Sequence, residues 1–127
     1  MAGNLTNYLE DKLIDHFLGT TTYTKPAAVY VGLFTVSPGE AGGGTEVTGG
    51  SYARKVATFT AASSGATSND ANIDFTGMPA ATTVAIGIFD AITSGNMLLY
   101  GTLTTNKTTD AGDTLRIATG DLNISID

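Results

Sequence analysis

The sequence contains no cysteine and no tryptophan, and only 14% of its 127 residues are charged. Without cysteine, disulfide scaffolds, thiol catalysis and thiolate zinc sites are excluded together. Basic side chains number 6 against 12 acidic ones, a net charge of −6, and the longest basic run is the pair Arg54-Lys55. Contact with nucleic-acid phosphates or an anionic membrane surface needs a basic face, so neither partner is expected. No stretch approaches the roughly 18 apolar residues of a membrane-spanning helix. The opening Met1-Ala-Gly-Asn-Leu-Thr lacks the basic and then apolar run of a secretory leader, so none is expected. Soluble domains ordinarily carry about 25% charged residues. Threonine, alanine, glycine and serine fill the deficit here, which predicts a neutral, hydroxyl-rich surface suited to an assembly component or a stable extracellular-type domain rather than a freely diffusing cytosolic enzyme.

A chain of this length buries roughly two-thirds of its unfolded surface and needs no staples, so residues 1–127 read as one domain. Leu5, Tyr8, Leu9, Leu13, Phe17 and Leu18 form one stripe at helical spacing, with Glu10, Asp11, Lys12 and Asp15 opposite. The pattern predicts an amphipathic helix over about residues 5–18, capped by Asn4 and closed by Gly19. Such a helix serves either to bind a partner or to pack on the domain's own sheet.

Beyond Gly19 the period becomes that of strands. Residues 27–34 place Val29, Val31 and Leu33 on one face and Tyr30 and Phe34 on the other, with Gly32 between, as in a central strand covered on both sides. Residues 37–51 hold six glycines and one proline and predict a long loop, either a partner contact or a flexible connector. Strands are expected at 52–59 and 72–75. Residues 83–90 and 97–103 should pair as a hairpin across Thr93-Ser-Gly-Asn96, and Asn106 to Gly112 reads as a second polar turn. In the last segment Leu115 and Ile117 stand at odd positions but Leu122, Ile124 and Ile126 at even ones. That parity change marks Gly120 as a bulge, bend or turn. The whole predicts a mainly β protein, an antiparallel sandwich of about six to eight strands with one N-terminal helix.

Reactive constellations are scarce. The sole histidine, His16, sits on the helix, and no G-x-S-x-G elbow offers it a nucleophile. The aspartates are scattered over turns and strand ends. Sugar-cleaving enzymes need facing carboxylates in a cleft usually lined by aromatic platforms, and this chain has no tryptophan and five tyrosines. Asp110-Ala-Gly-Asp113 lacks the remaining positions of a calcium loop, and neither Gly42-Gly-Gly44 nor Gly49-Gly50 continues as a phosphate-binding turn. No catalysis, metal or cofactor is expected.

Several segments in order resemble a family of small phage and prophage virion proteins, often labelled tail-fibre-like or structural. They are Leu5-Thr-Asn-Tyr-Leu-Glu-Asp-Lys-Leu-Ile-Asp-His16, Val29-Tyr-Val-Gly-Leu-Phe34, Glu46-Val-Thr-Gly-Gly-Ser-Tyr-Ala-Arg54, Ile86-Gly-Ile-Phe-Asp90, Gly95-Asn-Met-Leu-Leu-Tyr-Gly-Thr-Leu103 and Gly112-Asp-Thr-Leu-Arg-Ile. The resemblance implies a virion location. Collagen-like, heptad and β-helical repeats of a fibre shaft are absent from the sequence, which favours a capsid decoration or cement protein, a homo-oligomer bound to the major capsid protein or another virion protein. A tail or tail-fibre component contacting the host is the alternative, and the Thr/Asn/Asp-rich loops motivate a third, a small carbohydrate-binding module. For docking, Gly43, Glu46 and Tyr52 are the expected contact residues.

Overall fold

In the computed structural model, which describes residues 4–126, the most apolar segment of the chain lies inside the largest sheet. Met1–Gly3, on which the leader reading partly rests, and Asp127, the end of the last segment read from sequence, lie outside the described residues. In chain order the elements are β1 (Asn4–Leu5), α1 (Asn7–Phe17), β2 (Val29–Val36), β3 (Thr45–Glu46), β4 (Lys55–Ala57), β5 (Ala66–Ser68), β6 (Ile73–Met78), β7 (Ala81–Phe89), β8 (Met97–Thr109), β9 (Asp113–Ile117) and β10 (Asn123–Ser125). The main sheet has the order β1-β8-β7-β2-β3, with β4 on β2 beside β3, and β6-β9 and β5-β10 form two further pairs, all antiparallel.

Alternation along β2 and β7 builds two unequal interiors. Val31 lies opposite Ile88 and Leu33 opposite Ile86, and these four pack with Ile73 and Phe75 of β6, Leu115 of β9 and Leu122. Each such side chain contributes about 1.5–3 kcal/mol on burial, so this layer carries most of the stability. The other face of the same strands carries Phe34, Ala85 and Phe89, also buried. β2 is thus covered on both sides, and the mainly antiparallel sandwich with one helix near the N-terminus is present.

Local boundaries differ where distant partners decide them. The helix begins at Asn7, not Leu5, and its N-cap is Thr6, not Asn4. Leu5 is drawn into pairing with Leu99, and the buried Thr6 hydroxyl donates to the carbonyls of Met97 at 2.7 Å and Leu98 at 3.0 Å. Of the apolar stripe, Leu9 is buried, whereas Phe17 and Leu18 are 74% and 85% exposed, with Ile14 beside them at 58%. Residues 37–51 are no structureless loop: Gly39 and Gly42 close a turn, Thr45–Glu46 pair with β2, and Val47 is buried with its amide donating to Leu33 O at 2.8 Å.

Residues 106–109 are strand rather than turn, because β8 continues to Thr109, where β-branched threonines face each other across the ladder. The expected strand 52–59 contracts to β4, since Tyr52 and Arg54 are engaged elsewhere, as described below. The polar stretch after Thr60 contains β5, which pairs with β10.

The parity change at Gly120 is a tight turn, with φ of +85° and the Asp121 amide donating to Ala118 O at 3.0 Å. One buried side chain staples it. Asn69 Nδ2 donates to Ala71 O at 2.9 Å and Ala118 O at 3.0 Å, while Oδ1 accepts from the amides of Gly120 at 3.1 Å and Leu122 at 2.9 Å. Asn69→Ala strips four partners inside the fold and is expected to lower the unfolding free energy by about 3 kcal/mol, read by urea denaturation. Thr83 is the opposite case: among the described residues its Oγ1 is the buried side-chain polar atom without a partner. Thr83→Val is expected to raise stability by about 1 kcal/mol in the same assay.

Candidate functional site

Two glycines in the middle of strands shape the outer face of the main sheet. Gly32 and Gly87 lie opposite each other in register. A Cβ at Gly32 would stand 2.9 Å from Glu46 Oε2 and 3.1 Å from the Phe89 ring; at Gly87 it would stand 3.0 Å from Phe34 and 3.1 Å from Phe89. The missing side chains leave a saddle that these groups fill. Phe34 and Phe89 stack with centroids 6.1 Å apart and planes 9° from parallel.

Arg54 lies over the Phe89 ring, its guanidinium carbon 3.4 Å from the centroid. Its Nε and Nη2 grip the Glu46 carboxylate at 3.0 and 2.9 Å, and Nη1 donates to the carbonyls of Ala91 at 3.0 Å and Ser94 at 2.8 Å. Tyr52 supports the pair from behind, donating to Glu46 Oε2 at 2.7 Å while its oxygen accepts the Leu33 amide at 2.8 Å. Burial, and then the adjacent Glu46 carboxylate, push the Tyr52 phenol well above its ordinary 10.0, against the opposing Leu33 amide and Arg54. One cation therefore joins β3, the entry to β4 and the β7–β8 turn.

A cleft of about 570 Å³ opens above this base. Phe34, Phe89, Glu46 and Arg54 contribute its floor, and Thr6, Asn7 and Tyr8 at the start of α1 form one wall. The lip is the segment Glu40 to Gly44, and Gly95 to Met97 close the remaining side. The Asn7 amide donates to Glu40 O at 2.9 Å and so fixes lip to helix. The β7–β8 turn is held by Asp90, whose carboxylate accepts from the Asn96 backbone at 2.7 Å and side chain at 3.0 Å.

Of the residues singled out from sequence, Gly43 and Glu46 line the cleft, and Tyr52 bonds to Glu46 without lining it. Arg54, Phe34, Phe89, Asn7 and Glu40 line the cleft as well, beyond the contacts expected from sequence. A partial signal existed: Tyr52 and Arg54 are two apart, hence on one side of an extended chain, and glycine inside an apolar strand marks close approach by other groups. The remaining candidates lie elsewhere. His16 Nδ1 accepts the Tyr23 amide at 3.1 Å, and Asp113 Oδ2 accepts the Asp110 amide at 2.8 Å to close its turn. Among the described residues no three histidine, aspartate or glutamate side chains gather as a metal site would require.

Comparison with known proteins adds a family. The model described as Podophage GP4 fiber I protein gp80 matches residues 4–125. No curated protein matches the chain.

Arg54→Ala leaves a part-buried carboxylate and two carbonyls without their cation, and is expected to lower stability by about 2–3 kcal/mol in denaturant titrations. The neutral Tyr52 phenol is the form the fold favours. Its folded pKa lies above the unfolded one, so the stabilisation is full below pH 10.0 and is lost as pH rises beyond it. The denaturation midpoint should fall above that pH, with a shallower decline in Tyr52→Phe.

Proposed function

The chain belongs to this podophage fibre family and is a structural component of the virion, and on that premise we propose that it is a building unit of a tail fibre. The observation that carries the reading is a match running from β1 through β10, so that the family description covers the fold as a whole and not one motif. A role in assembly also suits the surface. Isolated exposed apolar side chains are ordinary, but Ile14, Phe17 and Leu18 stand together at the end of α1. In this reading copies associate with each other or with other virion proteins through non-covalent contacts, as symmetric assemblies do.

The absence of shaft repeats, which favours capsid cement on sequence grounds, weighs less once the unit is a sandwich, because such repeats are expected of an elongated shaft and not of a compact domain. Cement on the head shell is the competing outcome. Quantitative mass spectrometry of purified particles, with immunogold labelling, separates the two. A low copy number with label at the tail is expected. Label spread over the head, at a copy number comparable to that of the major capsid protein, would overturn the fibre reading.

A further inference from the structure

We propose that the cleft between α1 and the glycine lip binds a neutral sugar residue. The argument starts from which lining groups are already committed. Glu46 and Arg54 satisfy each other and their neighbours, so they form a rigid base with little left to offer. Asn7, Tyr8 and Glu40 line the same space, and the side-chain amide, hydroxyl and carboxylate they carry make no hydrogen bond to another described residue. They supply donors and acceptors in planar groups beside a half-exposed aromatic ring. At Gly43, with φ +90°, an added Cβ would meet open space, so its main chain stays uncovered, whereas the Gly42 amide and carbonyl are both paired with Gly39.

The chemistry of the lining selects among ligands. A sugar ring carries hydroxyls that donate and accept at once, matching the side-chain amide and carboxylate, and a C–H face for the side of the Tyr8 ring that Lys12 leaves open. A metal cation would find a single uncompensated carboxylate, Glu40, because Arg54 neutralises Glu46. A phosphate or acidic sugar would meet that carboxylate in a protein of net charge −6. An apolar peptide side chain would find no slot, since Phe34 and Phe89 are only 3% and 6% exposed. The volume, about 570 Å³, lies within the usual range for small-ligand sites.

The inference does not depend on where the protein sits on the particle. Sugar binding is read on the isolated chain, whereas the fibre reading is tested on virions. The probe is a panel of neutral saccharides, namely glucose, galactose, mannose, rhamnose and N-acetylglucosamine with their short oligomers, in saturation-transfer NMR with the full chain. Transfer to at least one panel member is expected, with Kd raised about tenfold or more, roughly the loss of one good polar contact, in Glu40→Ala and in Tyr8→Ala. Should Tyr8→Ala lose its helix by circular dichroism, Glu40→Ala, on the exposed lip, still decides. No transfer to any panel member overturns the proposal. So does binding unchanged by Glu40→Ala, which would put the sugar elsewhere, or a preference for an acidic sugar such as N-acetylneuraminic acid.

Discussion

The arrangement of the outer face depends on an Arg54 guanidinium stacked on Phe89 and doubly bonded to Glu46. Its side chain is only 10% exposed, and that of Glu46 25%, so both ions are largely withdrawn from water. Withdrawal costs several kcal/mol per ion. Against it stand hydrogen bonds to charged groups at about 1.5–3 kcal/mol each and a cation–π contact of about 1–2 kcal/mol. The two sides nearly cancel, so the net stabilisation is modest and the consequence is positional. Three segments far apart in sequence are held in one geometry: β3 through Glu46, the entry to β4 through Arg54 itself, and the β7–β8 turn through the carbonyls of Ala91 and Ser94. The glycine pair makes this possible, since a side chain at Gly32 or Gly87 would occupy the place of the carboxylate or of the rings.

Positioning is also what turns a surface into a cleft. The turn after β7 supplies one side through Asn96 and Met97, and it is fixed in place by Arg54. The lip supplies another, and it is fixed at both ends, by the Asn7 amide on Glu40 and by Glu46 in the ion pair. A glycine-rich lip of this kind would otherwise be mobile. Here its ends are pinned and Gly42 is tied to Gly39 through its amide and carbonyl, while Gly43 carries no side chain, an arrangement that leaves a short stretch of main chain uncovered without letting it wander.

How much of this was legible in the residues follows from the range of the interactions. Period-two alternation in 83–90 and 97–103 is a local property, and the hairpin is found where it predicts. The parity change at Gly120 is local too, and it locates the turn, although the Asn69 side chain that secures it comes from about fifty residues earlier. The cap at Thr6 was hidden because its hydroxyl answers to Met97 and Leu98. β3 was hidden because its partner strand, not its own composition, makes it a strand. For the site, loop composition pointed to Gly43 and Glu46, and the spacing of Tyr52 and Arg54 hinted at a shared face. The role of Arg54 required knowing that residues 91 and 94 return beside residue 46, which no local pattern contains.

The shortage of charge now has a structural meaning. Of the six basic residues, Arg54 is bound to Glu46, Arg116 is paired across strands with Asp74, and Lys12 lies over the Tyr8 ring. Half of the positive charge is thus engaged within the molecule, so the surplus of acid dominates what approaching molecules meet. At physiological salt such fields fade over about 8 Å. A weak, screened negative field neither draws in anionic surfaces nor prevents lightly charged protein faces from meeting at contact distance. Selection among partners then falls to shape and to hydrogen-bonding groups, of which the threonine-rich strands and the cleft have many. In a virion component, any contact made under such a field rests on packed surface rather than on attraction from afar.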